Sequence, residues 1–263
     1  PVCPVEGWDP HPGRLFSTWL DPNLLGGFFV LTISLLLAFP VPSHWGNRLL
    51  LVGAGGMTSA ALLLTQSRAS LGALIAVVLV SVIFLRAWRR VFPVITGALA
   101  GLVFLPAFLT RLQSVSVVDP TVALRLHSWQ QASEHVVRFP LFGVGYNAYG
   151  VEQLAVGNIG TLALHSRAGA ENSFLTILAT TGMWGAALVL FVITLLVWVL
   201  LRRSASRPFV SLVPAALLTI VGVSVHAQFV HSLLYVHLLL PLVLILALVG
   251  RQDAQSVGSP NAA

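Results

Sequence analysis

Three ionisable side chains in this chain stand where chemistry could be done: Arg68 in "LLLTQSRASLG", Arg125 in "RLHSWQQ" and Glu171 in "GAENSFLTILATTGMWG". An arginine is always charged and grips a phosphate through a planar fork, so two can neutralise a pyrophosphate leaving group better than one. A carboxylate at the threshold of a long apolar run can take a proton from a hydroxyl, and a nearby arginine would keep it ionised. Each residue also has a plainer reading. Arg68 could snorkel to lipid headgroups and hold its turn. Arg125 could be solvated, its stem laid on Trp129 one turn later. Glu171 could be an acid at a helix N-terminus, favoured by the dipole, since "ENS" supplies ordinary capping residues.

Further polar residues cluster near these. His226, His231 and His237 border a short turn late in the chain, with Tyr235 among them, and His231 and Tyr235 are spaced one helical turn apart. His226, His231 and Tyr235 suit the polar lining of a cavity, while His165 and Arg167, just before Glu171, suit contacts to an acceptor substrate. No pairing reproduces a zinc signature such as HExxH, so neither a metal nor a cofactor is implied. The sequence also lacks a Walker A lysine loop, a GxSxG elbow and a CxxC pair, devices that a nucleotide-driven pump, a serine hydrolase or a dithiol enzyme would need.

The elements that must position these residues are set by composition. Of 263 residues, 57% are hydrophobic and only 8% are charged, where a soluble domain carries about a quarter charged residues. Most of the surface must therefore face something other than water, as in an integral membrane protein. Every basic residue is an arginine, and the formal charge of +6 follows topology rather than marking a nucleic-acid partner. Cys3 is the only cysteine, so no internal disulfide can form. The chain starts at Pro1 in a polar segment with no signal peptide, and we read it as the C-terminal portion of a larger protein.

A bilayer core needs about 20 apolar residues in a helix. Seven runs are long enough, near 24–40, 49–65, 70–86, 91–109, 173–201, 208–226 and 232–250. The fifth is overlong and should tilt or begin above the membrane. The expected class is an all-α polytopic membrane bundle of about seven spans with a partly helical extracytoplasmic loop. "RAWRR" (86–90) and "RRSASR" (202–207) place the ends of the third and fifth spans in the cytoplasm. The resulting divisions are an outer segment (1–23), spans one to four (24–109), an outer loop (110–172), spans five to seven (173–250) and a polar, disordered inner tail (251–263). Seven of the eight acids then lie outside, beside several arginines, so charges of both signs gather on the extracytoplasmic face.

The outer loop has its own pattern. Val122, Leu126, Trp129, Ala132 and Val136 follow Asp119-Pro120 at spacings that predict an amphipathic helix ending before Pro140. In "PLFGVGYNAYG", Gly143 and Gly145 permit a tight turn, and Phe142, Tyr146 and Tyr149 suit the level of lipid headgroups.

Four stretches together resemble the O-antigen ligase/polymerase family of membrane glycosyltransferases: "FSTWLDPNLLGGFFVL" (16–31), "LLLTQSRASLGALIAV" (62–77), "RLHSWQQASEHVVRFPLFGVGYNAYG" (125–150) and "ENSFLTILATTGMWG" (171–185). The last is similar to a ligase pattern of His, Asn/Ser/Gln, nine residues, Gly, two residues, Gly. Asn172, Gly182 and Gly185 fit that spacing, but Glu171 stands at the histidine position.

The resemblance covers roughly residues 16 to 250. It implies a many-helix fold with a periplasmic loop over an outward-facing cavity in a bacterial inner membrane. It also implies inverting, metal-independent transfer of a glycan from a polyprenyl-diphosphate donor to a hydroxyl on a glycan or lipid-linked acceptor. Arg68 and Arg125 would hold the diphosphate, and Glu171 would take the ligase histidine's role in activating the acceptor. The change at 171 sets polymerase ahead of lipid A-core ligase, with protein O-glycosylation a third member of the class. A transporter or flippase for the same lipid, or an inactive fragment, is the alternative; against a flippase, the sequence shows no inverted repeat and no clear pair of Gly- or Pro-broken helices.

Overall fold

The computed structural model describes residues 14–15, 21–40, 42–83, 120–155, 169–206 and 212–257. Among them are eight helices and no strand. In chain order these are α1 (Pro22–Ala38), α2 (Trp45–Leu64), α3 (Arg68–Ile83), α4 (Pro120–Arg138), α5 (Tyr149–Ala155), α6 (Ser173–Ser206), α7 (Val213–His226) and α8 (Val236–Val257). The all-α class is as the sequence predicts.

Six of the helices coincide with six of the seven apolar runs; the run at 91–109 lies outside the described residues. Their lengths differ from expectation. Among the described residues, only α2 and the Ser173–Arg203 part of α6 are both long and apolar enough to cross a membrane, while α1, α3, α7 and the Val236–Arg251 part of α8 are shorter. Many large apolar side chains are left exposed on the long helices, among them Leu49, Leu50, Met57, Leu188, Phe191 and Trp198. A hydrocarbon environment would cover such faces; water would not. The inner tail also differs from the sequence reading, since α8 continues through Val257.

Helix boundaries follow local chemistry. Asp21 caps α1 by accepting the Asn23 N–H at 2.6 Å, with Pro22 at the first position, where its missing donor costs nothing. The residue after α1, Phe39, is extended, as a residue before proline prefers. In α4 the expected amphipathic helix ends at Arg138, just short of Pro140. Helix α5 has no counterpart in the sequence reading. It is a short helix of about two turns, anchored by buried Tyr149 and Gln153.

The chain divides into two compact units. One contains residues 15–105, 195–226 and 232–263; the other contains 1–14, 106–194 and 227–231. In the first, α1 packs against α2, α3 and α7 around Val30, Ile33, Leu37, Leu62, Ala73, Leu74, Val77 and Leu218. Gly222 lets α7 come close: a Cβ there would lie 2.8 Å from Val30 Cγ1 and 3.1 Å from Val77 Cγ2.

In the second unit α6 is not a regular helix. Gly182 has φ 67° and ψ −169°, a region essentially restricted to glycine. The loop after α4 fills the break with backbone. Met183 N–H donates to the Pro140 carbonyl at 2.8 Å and Trp184 N–H to that of Leu141 at 3.5 Å, while Val144 and Gly145 N–H donate to Ala179 and Thr180 carbonyls at 2.9 Å each. Gly143 (φ 67°) and Gly182 meet opposing backbone so closely that neither could carry a Cβ. The overlong apolar run is thus interrupted at Gly182, where its length alone suggested tilt or a start above the membrane.

Candidate active site

The segment that carries Glu171 is held from three sides within the second unit. Ser128 Oγ on α4 donates to the Ala170 carbonyl at 3.2 Å. The Ala170 N–H donates to Thr176 Oγ1 in the first turn of α6 at 2.9 Å. From the late turn, the Ala227 carbonyl accepts the Ser173 N–H at 2.8 Å, and the Val230 carbonyl accepts Ser173 Oγ at 2.9 Å. Behind these bonds Ala132, Tyr149, Ala170 and Ala179 form a small core in which three alanines let α4 approach the start of α6.

The helix cap is Asn172, whose Oδ1 accepts the Leu175 N–H at 3.0 Å. Glu171 lies just outside the helix with φ 48°. A left-handed backbone is uncommon for a side chain other than glycine and costs of order 1–3 kcal/mol. The Glu171 N–H donates to His231 Nε2 at 3.3 Å. Because an amide N–H can only donate, that nitrogen presents its lone pair and the neutral ring carries its proton on Nδ1.

This backbone conformation turns the Glu171 carboxylate to α4, where Arg125 Nε donates to Glu171 Oε2 at 3.2 Å. The two side chains are 22% and 25% exposed. An ion pair this open to solvent adds little to stability, on the order of 1 kcal/mol or less; its significance is geometric. Within the described residues, the outer fork of the Arg125 guanidinium makes no further hydrogen bond, which leaves a bidentate donor edge beside a carboxylate.

The remaining candidates are placed as follows. Arg68 is in the first unit, half-buried at the start of α3. Its turn is pinned by hydroxyls: Ser67 Oγ caps α3 by accepting the Ser70 N–H at 3.3 Å, and Thr65 Oγ1 accepts the Ser67 N–H at 3.3 Å. His226 is also in the first unit and only 1% exposed. Its Nε2 lies 3.0 Å from Ser70 Oγ and its Nδ1 2.6 Å from Ser232 Oγ, so the ring bridges α7 to α3. Tyr235 caps α8 through its carbonyl, which accepts the Leu238 and Leu239 N–H groups at 3.1 Å. The chain from 227 to 235 is turn and coil, so His231 and Tyr235 are not paired along a helix as their spacing suggested. His165 and Arg167 lie outside the described residues. Among the described residues no group of three or more His, Cys, Asp or Glu side chains could hold a metal ion.

Of the three loop aromatics expected at headgroup level, Phe142 and Tyr146 are exposed (74% and 76%), but Tyr149 is 3% exposed. It lies edge-on to His135 with ring centroids 5.1 Å apart. Burial pushes the Tyr149 phenol up to about 12 and His135 below its ordinary value. Sequence reasoning missed the hydroxyls of Ser128, Ser173 and Thr176, since small hydroxyls beside apolar residues give no distinctive pattern.

A family model described as O-antigen ligase matches residues 53–190, a stretch that includes Arg68, Arg125 and Glu171. A search of curated proteins finds no match. The matched stretch is just over half of the 263 residues: the chain belongs to the O-antigen ligase family.

Proposed function

We propose that this chain is a multi-pass glycosyltransferase of the bacterial inner membrane. It moves a glycan from a polyprenyl-diphosphate donor to a hydroxyl acceptor at the periplasmic face. The supporting observation is the Arg125–Glu171 pair at 3.2 Å, formed by residues 46 positions apart. Glu171 takes the proton of the acceptor hydroxyl, and that oxygen forms a bond to C1 of the donor sugar. The C1–O bond to phosphate breaks, and the electron pair leaves with the lipid diphosphate. A single displacement of this kind inverts C1. Arg125 stabilises the departing diphosphate. Arg125 bonds Glu171 through Nε, and the outer fork of the same guanidinium takes the diphosphate oxygens, which sets the base beside the leaving group. Glutamate at position 171 favours a polymerase over a lipid A-core ligase.

The test is glycan transfer in membranes by the full-length protein with its native lipid-linked donor. Glu171→Gln keeps the shape of the side chain and removes the base, and should lower transfer by about 10²–10⁴-fold. Unchanged transfer, with equal protein in the membrane, would end this assignment.

A further inference from the structure

A cavity of about 470 Å³ lies in the second unit alongside the broken helix α6. Its walls come from α6 on both sides of Gly182, including Leu175 and Leu178 before it and Leu190 after it, with Trp129 from α4 and Gln228 from the late turn. Asn172, the neighbour of Glu171, also lines it. No charged side chain does. The indole N–H of Trp129 is buried and has no hydrogen-bond partner among the described residues, and a buried donor left unmade is costly enough to point to a missing acceptor.

We infer that this cavity is the acceptor-sugar subsite, taking a neutral pyranose that carries an apolar group. The inference rests on the reading of Glu171 as the base. A pyranose presents a C–H face that packs on an indole and an edge of hydroxyls that suits carboxamides and an indole N–H. Trp129, Asn172 and Gln228 supply those partners together, and the leucines receive the attached apolar group. The donor's diphosphate does not suit the cavity, since it would enter an uncharged, largely apolar space without a cation. Trp129 follows Arg125 by one turn of α4, and Asn172 follows Glu171 directly. Two lining residues thus follow the base and the leaving-group arginine by one residue and one helical turn, a placement that suits an arriving hydroxyl.

The probe is dodecyl β-D-glucoside with a diazirine in its alkyl chain, photolysed with the full-length protein in lipid nanodiscs, and the adducts are mapped by peptide. Labelling should fall on residues 172–190 and be displaced by octyl β-D-glucoside but not by farnesyl diphosphate. Trp129→Leu and Gln228→Leu should each reduce it about tenfold, and Trp129→Phe, which keeps a ring but loses the N–H, about threefold. Gln228 is exposed, so its variant separates loss of binding from loss of fold. Equal labelling by a diazirine dodecanol would reduce the cavity to a hydrocarbon groove, displacement by farnesyl diphosphate alone would assign it to the donor, and unchanged labelling in both leucine variants would refute it. Labelling needs no turnover. A fully active Glu171→Gln would therefore sink the base while the labelling result still judged the cavity, and Glu171→Gln should label like wild type.

Discussion

Gly182→Ala gives the sharpest test of how the second unit is built. The backbone at φ 67°, ψ −169° is one that alanine avoids, at a cost of order 1–3 kcal/mol. The new Cβ would also meet the backbone of Leu141 and Phe142, which cannot rotate away as a side chain would. The variant must then give up the four loop-to-helix hydrogen bonds at Pro140, Leu141, Ala179 and Thr180, worth about 1 kcal/mol each. Straightening α6 would recover part of that loss inside the helix, so a net cost of about 3 kcal/mol is expected for keeping the loop docked. Two readouts follow. The melting temperature in detergent should fall by about 6–12 °C, at 2–4 °C per kcal/mol for a chain of this size. Trypsin should cut after Arg138, the exposed last residue of α4, on the order of 100 times faster, since cleavage tracks the open population. Gly72→Ala is the control, because a Cβ there meets nothing within 4 Å. A Gly182→Ala protein that melts and is cleaved like wild type would refute the argument.

Three other perturbations have defined outcomes. Asn172→Ala removes the cap of α6 and should lower stability by about 1 kcal/mol in a thermal melt, whereas Asn172→Asp, which still accepts the Leu175 N–H, should stay near wild type. Arg125→Lys keeps the charge but loses the planar fork, so on the proposed mechanism transfer should drop at least about tenfold with protein levels unchanged; full activity would remove Arg125 from the diphosphate. Burial lowers the His135 pKa, with Glu152 and Glu134 opposing and Arg138 assisting. The folded state thus holds the ring neutral while the unfolded chain binds its proton near pH 6.5. Stability from this residue should be complete above about pH 6.5 and decline as pH falls below it, and His135→Phe should flatten that decline in melts between pH 5 and 7.

Local pattern was enough to place seven of the eight described helices, though not α5 or the break in α6. The spacing from Val122 to Val136 and the proline at 140 predicted α4, because one apolar face and a chain-terminating residue act within a few turns. Gly143 and Gly145 read as a turn for the same reason, and both have positive φ. The spacing of Asn172, Gly182 and Gly185 was legible as a motif, though not its meaning. An apolar run with two glycines reads alike whether the helix is whole or broken, and the break at Gly182 is decided by backbone donated from residues about forty positions earlier.

The candidate site divides in the same way. Sequence alone singled out Arg125 and Glu171 by residue type and by their places on a predicted helix and at the threshold of an apolar run. Their meeting depended on tertiary contacts: Ser128 and Thr176 hold Ala170, the late turn holds Ser173, and His231 takes the Glu171 N–H. Those contacts keep Glu171 in a left-handed conformation that its own local preferences oppose. Which residues could do chemistry is a matter of functional groups and was readable in the chain; which way the carboxylate faces depends on bonds between residues far apart in sequence, and only the folded structure supplies them.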